Sequence, residues 1–358
     1  MAENLHEFVA TSSRHTTFYL AAGVRGVPIV FLHGWPELSR TWRRQLHVFG
    51  ALGFRAVAPD LRGYGRSSIY ERHEDYRLEL AVADMLELLD ALGAEKAVWV
   101  GHDWGAPVAW SIAQHHPERC HGVAALTVPY IPEGFAPANL IPLADRSIYP
   151  EDAFPAAQWD YQLAYEENFS AAIAVFEERV RATVRAIFTA GDTTDIGKPA
   201  GLAFVRARGR RIPDVERDPR VLTEADENAY TAALERTGFF GPCSWYMNAD
   251  ANVRYALESK DRWHLTMPTL FVHAAFDAVC DTLTSRLAEP MRLYCRNLTE
   301  VVARSGHSVA QEQPSLVNAA IATWLANELP TVWESTAAVT RGRSTDGAWS
   351  SAHPGAGR

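Results

Sequence analysis

Cysteine is scarce in this chain of 358 residues, which contains only four. No two of them form a Cys-x-x-Cys pair, the spacing typical of zinc sites and redox motifs. We therefore expect reduced thiols and no metal site. The four residues are Cys120, Cys243, Cys280 and Cys295.

Positive charge is also in deficit, because 34 Lys and Arg residues face 43 Asp and Glu residues, a formal net charge of −9. This balance argues against nucleic acid or an anionic membrane as the main partner. The densest basic segment, Arg208 to Arg211, is interpreted as a solvated loop. No apolar run reaches membrane-spanning length, and the N-terminus lacks a secretory pattern. We expect a cytoplasmic protein with no membrane span; whether it forms a homodimer is left open.

Apolar runs of strand length alternate with segments of helical periodicity, and 47% of all residues are hydrophobic, enough for a substantial core. This alternation predicts an α/β fold with a doubly wound, mostly parallel sheet. The expected strands are 8–11, 16–21, 28–32, 55–59, 98–100, 122–128, 268–274 and 298–302.

The pattern changes after Pro129, where a Pro- and Gly-rich loop is followed by helical segments without a buried strand. We therefore expect a first part of the core at 1–129, an inserted helical cap at 130–244 and a second part of the core at 245–334. The remainder, 335–358, is rich in Gly, Ser and Arg and is expected to be disordered.

The central motif is Gly101-His102-Asp103-Trp104-Gly105, between a β-branched apolar run and a helical segment. Small residues two before and two after Asp103 allow a sharp strand-to-helix turn, which would hold this carboxylate at the end of the strand. Asp103 is therefore a candidate nucleophile that could form an ester with carbon. The alternative is a helix-capping aspartate.

A second loop, His33-Gly34-Trp35-Pro36, follows the strand expected beside the central one. Ligands bind at the carboxyl ends of such strands, so we expect His33 and Pro36 to line the substrate pocket. The backbone N–H groups of Trp35 and Trp104 could then stabilise an oxyanion. An ordinary turn with a buried histidine is the alternative.

A base and its orienting acid are expected after the last two strands. His307 stands in a loop behind the final strand and is the favoured base, whereas His102 should point away from the nucleophile. Asp277 follows the preceding strand as the orienting acid, with Asp281 as its rival. The order nucleophile, acid, base is that of α/β-hydrolases.

These motifs resemble the epoxide hydrolase branch of the α/β-hydrolase fold. The resemblance rests on the central motif, the His33–Pro36 loop, Asp60-Leu61-Arg62-Gly63-Tyr64-Gly65-Arg66-Ser67-Ser68, and Ser305-Gly306-His307 followed by Gln313-Pro314. It runs through most of residues 5 to 330. Ser308 departs from the family, which commonly has an aromatic residue after the catalytic histidine.

The resemblance also implies two cap tyrosines that bind the epoxide oxygen. Tyr161, in Trp159-Asp160-Tyr161-Gln162-Leu163, and Tyr246, in the segment 238–248, match the two motifs. A tyrosine hydroxyl can hydrogen-bond and then protonate the alkoxide that epoxide opening creates. Two aromatic residues of a cap core are the alternative interpretation.

The expected activity is cofactor-free hydrolysis of a small hydrophobic epoxide by water to a vicinal diol, through a covalent ester on Asp103. The first alternative is a haloalkane or haloacetate dehalogenase with the same nucleophile. The second is a non-catalytic α/β-hydrolase that only binds a ligand.

Overall fold

The computed structural model describes residues 5–23, 25–200 and 212–341, so the basic segment 208–211 lies outside the described residues. Eight strands in these ranges form one sheet: β1 His6–Thr11, β2 Thr16–Ala22, β3 Pro28–Leu32, β4 Arg55–Pro59, β5 Ala97–His102, β6 Cys120–Leu126, β7 Leu265–Ala274 and β8 Cys295–Ala303.

The strand order across the sheet is β1-β2-β4-β3-β5-β6-β7-β8. β2 pairs antiparallel with both β1 and β4, and the remaining neighbours are parallel. The expectation of a mostly parallel sheet is confirmed. β5 lies near the middle, with β3 and β6 as its neighbours, so the turn after β5 opens at the centre of the sheet.

The longer helices of the described ranges are α1 Arg43–Ala51, α2 Leu78–Ala91, α3 Gly105–His115, α4 Asp160–Glu177, α5 Val180–Ile187, α6 Glu224–Thr237, α7 Ala249–Leu257, α8 Pro314–Glu328 and α9 Pro330–Arg341. Shorter helices cover Pro137–Leu140, Phe240–Ser244, Glu289–Tyr294 and Val309–Glu312. Single 3₁₀ turns cover Ser39–Trp42, His73–Tyr76, Pro117–Arg119, Ile141–Leu143, Ala157–Trp159, Trp245–Met247 and Asp261–Trp263.

Buried side chains form one hydrophobic cluster on each face of the sheet. Along β3, Val30 belongs to one cluster and Phe31 to the other, because successive strand residues point to opposite faces. α2 and α3 cover the first face with residues such as Leu88, whereas α1 and α8 cover the second with residues such as Ile321. Helices on both faces explain why the strands are uninterrupted apolar runs.

The chain leaves the sheet after β6 and returns to it at β7, and the described residues between these strands contain helices but no strand. Sequence periodicity predicts a strongly helical stretch over 164–190, and the structure divides this stretch between α4 and α5. Arg179, with φ of −146° and ψ of 73°, breaks the helix between them. Asn168 adds a kink within α4, with φ of −159° and ψ of 86°.

The prediction of disorder from residue 335 onward is wrong as far as Arg341, because α9 continues to that residue. Its first turn is held by packing, since Val332 is buried in the core cluster and the Trp333 ring lies 5.9 Å from that of Phe54. Residues 342–358 lie outside the described residues. Within the described ranges, no helix is both long and apolar enough to cross a membrane.

Candidate active site

Asp103 lies at the sharp turn between β5 and α3. Its φ of 48° falls in the left-handed region, which residues other than glycine rarely adopt. A Cβ atom on Gly101 would lie 2.3 Å from the carbonyl oxygen of Gly105, and one on Gly105 would lie 2.1 Å from that of Leu32. Only glycine fits at these two positions. Asp103 is not the helix cap, because the N-cap residue of α3 is Trp104.

His307 lies between two carboxylates. Its Nε2 atom is 3.4 Å from Asp103 Oδ2, and its Nδ1 atom is 2.8 Å from Asp277 Oδ2. The other oxygen of Asp277 accepts hydrogen bonds from the backbone N–H groups of Val279 at 2.8 Å and Cys280 at 3.1 Å. These bonds fix the Asp277 carboxylate, which in turn fixes the imidazole ring.

Asp281, the alternative to Asp277 as the orienting acid, accepts hydrogen bonds within its own turn. Its Oδ1 atom accepts hydrogen bonds from the backbone N–H groups of Leu283 and Thr284, both at 3.0 Å. This carboxylate therefore closes a local turn, and the structure brings Asp277 to His307.

The charges of Asp103 and His307 depend on each other. Burial alone would lower the pKa of His307, but the carboxylates of Asp277 and Asp103 raise it well above its ordinary value. Burial would raise the pKa of Asp103, but the hydrogen bond and charge of His307 bring it below its ordinary value. The resting site therefore holds an ionised carboxylate beside an imidazolium, and the ionised form is the nucleophilic one.

The loop after β3 contacts the carboxylate from the other side. The backbone N–H of Trp35 donates a hydrogen bond of 2.6 Å to Asp103 Oδ1. This approach requires glycine before it, because a Cβ atom on Gly34 would lie 2.3 Å from that of Asp103. Trp104 begins α3, where backbone N–H groups have no carbonyl one turn earlier; its role as a second oxyanion donor stays a prediction.

Tyr161 and Tyr246 lie together, with ring centroids 5.7 Å apart. The Tyr246 ring also contacts the ring of Trp104, with centroids 5.1 Å apart. Burial raises the pKa of both hydroxyl groups above the ordinary value, and the Asp103 carboxylate adds to the effect. Both hydroxyl groups therefore stay protonated and can donate hydrogen bonds.

Two cavities among the described residues meet at Asp103, Tyr161 and Tyr246, which line both of them. The wide cleft has a volume of about 480 Å³. Four residues line both cavities, since Val279 is shared as well, and the other walls of the wide cleft include Trp35, Ile187, Ile212, Phe276 and His307. The back pocket has a volume of only about 10 Å³. Its remaining walls are Trp104, Pro107, Val128, Phe135, Trp159 and Cys280.

His33 and Pro36 line neither cavity, so the prediction that they form the substrate pocket is wrong. His33 is fully buried; its Nδ1 atom donates to Gly34 O and its Nε2 atom accepts from the backbone N–H of Leu61, both at 2.9 Å. Both ring nitrogens are thus used to join two loops. Pro36 is buried in the same loop.

Sequence reasoning missed a buried ion pair beneath the site, formed by Glu37 and His102. Glu37 Oε2 accepts hydrogen bonds from Gly34 N at 2.9 Å and from His102 Nδ1 at 3.0 Å. The other nitrogen of His102 donates to the carbonyl oxygen of His307 at 2.7 Å. The pair therefore joins the loops that carry Trp35, Asp103 and His307. The available signal in the sequence was Glu37, an acidic residue in a loop whose other residues are buried.

Burial opposes both charges of this pair, and each partner compensates the other. Burial would lower the pKa of His102, but Glu37 raises it above its ordinary value. Burial would raise the pKa of Glu37, but His102 lowers it. Within the described ranges, no group of three or more His, Cys, Asp or Glu side chains is arranged to hold a metal ion.

Residues 27–314 match the family model of the alpha/beta hydrolase fold. "Epoxide hydrolase B" of Mycobacterium tuberculosis is 35% identical over 337 residues, covering 86% of this chain and 93% of that protein. "Epoxide hydrolase A" of the same organism is 34% identical over 311 residues, covering 85% of this chain and 92% of that protein.

Two solved structures share the fold. "Epoxide Hydrolase A from Mycobacterium thermoresistibile" has a TM-score of 0.73 at 32% identity and covers 90% of this chain and 99% of its own. "Epoxide hydrolase from an endophytic Streptomyces" has a TM-score of 0.76 at 29% identity, and the match covers 91% of this chain and 96% of that structure's chain. The chain therefore belongs to the α/β-hydrolase fold family, within its epoxide hydrolase branch.

Proposed function

We propose that this enzyme hydrolyses a hydrophobic epoxide to a vicinal diol in two steps, with Asp103 as the nucleophile. One observation carries the proposal. Asp103, with an ionised carboxylate, lines the same two cavities as Tyr161 and Tyr246, whose hydroxyl groups are protonated. Opening an epoxide needs a nucleophile at carbon and a proton donor at oxygen, and this arrangement supplies both. A dehalogenase expels a halide ion, which needs no proton.

In the first step, Asp103 Oδ2 attacks an epoxide carbon and the carbon–oxygen bond of the ring breaks. The oxygen receives a hydrogen bond and then a proton from the tyrosine pair, which gives a hydroxyalkyl ester. Asp103 Oδ1 becomes the ester carbonyl oxygen, because the Trp35 N–H already holds it at 2.6 Å.

In the second step, the imidazolium of His307 first gives up its proton, and the tyrosine that protonated the epoxide oxygen regains one. Neutral His307 Nε2 then removes a proton from water, whose oxygen attacks the Cγ atom of Asp103. Asp277 holds the imidazole and stabilises its positive charge. The Trp35 and Trp104 N–H groups stabilise the tetrahedral oxyanion, a contribution of about 3 kcal/mol for one donor in comparable sites. The ester bond between Cγ and Oδ2 breaks, and the departing diol oxygen takes the proton of the water-derived hydroxyl group on Cγ. The diol leaves with Oδ2, the water oxygen remains in Asp103, and the ionised carboxylate beside the His307 imidazolium is restored.

The decisive variant is His307→Gln, which keeps the nucleophile but removes the base. Incubated with styrene oxide, it should accumulate an ester that adds the mass of one epoxide to the peptide containing Asp103. The measurement is intact-protein and peptide mass spectrometry. The double variant Asp103→Ala/His307→Gln is the control and should remain unmodified.

A single turnover of the wild-type enzyme in 18O-water tests the same scheme independently. The first diol should carry no label, and the label should appear in the Asp103 peptide. Label in the first diol would mean direct attack of water on the epoxide and would overturn the covalent mechanism. Halide release from a haloalkane, without diol from any epoxide, would assign the site to dehalogenation instead.

A further inference from the structure

The spaces on the two sides of Asp103 differ greatly in size. We propose that the substrate is an epoxide with a substituent on only one of its two ring carbons, and that the back pocket excludes groups from the other carbon. This inference rests on the proposed function and specifies its substrate class. Phe135, Trp159 and Cys280 of the back pocket would be the residues that determine this specificity.

The position of the epoxide ring follows from the residues that the two cavities share. Asp103 must reach a ring carbon while Tyr161 and Tyr246 reach the ring oxygen, and these three residues lie where the cavities meet. The two ring carbons are joined to each other, so a group on one carbon can extend into the wide cleft. A group on the other carbon is then directed to the back pocket.

The volumes decide what each side accepts. The wide cleft, at about 480 Å³, falls within the range of pockets that hold whole small-molecule ligands. The back pocket, at about 10 Å³, has room for one water-sized group. A hydrogen atom on the second ring carbon fits there, whereas a methyl group requires the wall to move.

The wall of the back pocket is held firmly. Val128, Trp159 and Cys280 are at most 2% exposed, so they are packed from behind. Cys280 also donates its backbone N–H to Asp277, so its displacement would disturb the carboxylate that orients His307. Forcing one extra carbon into such a packed site is unfavourable.

Two substrates test the inference directly: styrene oxide, with one substituted carbon, and trans-1-phenylpropylene oxide, which adds a methyl group to the other carbon. We expect the wild-type kcat/KM for styrene oxide to be higher by about 10- to 200-fold, as is typical when a pocket rejects one extra carbon. Phe135→Ala enlarges the back pocket at a half-buried side chain and should reduce this ratio about tenfold.

The matched control is Ile187→Ala, which enlarges the wide cleft and should leave the ratio of the two kcat/KM values unchanged. If Phe135→Ala and Ile187→Ala both leave the wild-type ratio unaltered, or if the wild type shows no preference, the role of the back pocket is refuted while epoxide hydrolysis stands. If the wild type produces no diol from either substrate, the proposed function itself fails, and this inference with it.

Discussion

The protonation state of Asp103 is controlled by its neighbours. A carboxylate buried beside aromatic rings would normally keep its proton. Here His307 and the Trp35 N–H outweigh the effect of burial and lower the pKa of Asp103. The nucleophile is therefore ionised before the substrate arrives, and no separate base is needed to activate it.

Glu37 supports this site from below, and its replacement by Gln should cost stability. Removing one partner of a buried ion pair typically costs about 3–5 kcal/mol, and the lower end applies because His102 can lose its proton. We expect Glu37→Gln to lower the free energy of unfolding by about 3 kcal/mol at neutral pH, measured by urea denaturation. Glu74→Gln, at an exposed carboxylate, is the control.

The difference in free energy of unfolding between the wild type and Glu37→Gln should depend on pH in a defined direction. Because the pKa of His102 is raised in the folded protein, its protonation stabilises the fold. This stabilisation is complete at a pH below the ordinary histidine pKa and is lost as the pH rises through the pKa of His102 in the folded protein. Because the pKa of Glu37 is lowered in the folded protein, its ionisation also stabilises the fold, and this stabilisation is lost as the pH falls through the pKa of Glu37 in the folded protein. The gap between wild type and variant should therefore shrink at alkaline pH. A gap that widens there would contradict the ion pair.

At the level of helices, α6 is joined to the core by a buried carboxylate. Asp226 is fully buried and forms ion pairs with Arg40 at 2.7 Å and Arg43 at 2.6 Å. It also completes the capping box of α6 with Thr223. The same side chain thus begins a helix of the insertion and fixes that helix to the turn before α1 and to the first residue of α1.

Asp226→Asn should therefore destabilise the protein by about 3 kcal/mol, because two arginines lose their buried partner. Thermal unfolding is the measurement, and the kcat for styrene oxide should fall in parallel if the position of α6 sets the position of the tyrosines. Glu224→Gln, exposed in the first turn of the same helix, is the matched control. Equal melting temperatures for the two variants would show that the ion pairs contribute nothing.

The elements that the sequence predicted well are those whose own residues determine them. β3 is buried on both faces and appears as an unbroken apolar run, and α6 begins and ends at its capping signals. The break at Arg179 was missed because nothing in the local composition interrupts the helical pattern. Helix α9 was missed because its stability depends on packing against Phe54, which is distant in sequence.

The candidate site shows the same division. Asp103, Asp277 and His307 could be chosen from the sequence because strand order fixes where the ends of parallel strands lie. His33 and Pro36 were misplaced because strand order does not give the direction of a side chain. The pair of Glu37 and His102 was missed because its partners come from separate loops, and only the folded chain shows that both are buried together.

Across the whole molecule, the two chemical steps are coupled by a change of charge. Esterification removes the negative charge of Asp103, and that charge is one of the causes that raise the pKa of His307. The pKa of His307 should therefore fall when the ester forms. The histidine that stabilises the carboxylate as an imidazolium then becomes a neutral base for the second step.

This coupling predicts different pH profiles for the two steps. Ester formation needs ionised Asp103, whose pKa is lowered, so its rate should persist as the pH falls through the ordinary carboxylate range. Ester hydrolysis needs neutral His307, so its rate should rise with pH through the pKa of His307 in the ester. Single-turnover stopped-flow, with Trp35 and Trp104 as fluorescent reporters beside Asp103, measures both rates. The ester should accumulate at low pH and be scarcely detectable at high pH; identical profiles for the two rates would exclude a charge-coupled His307.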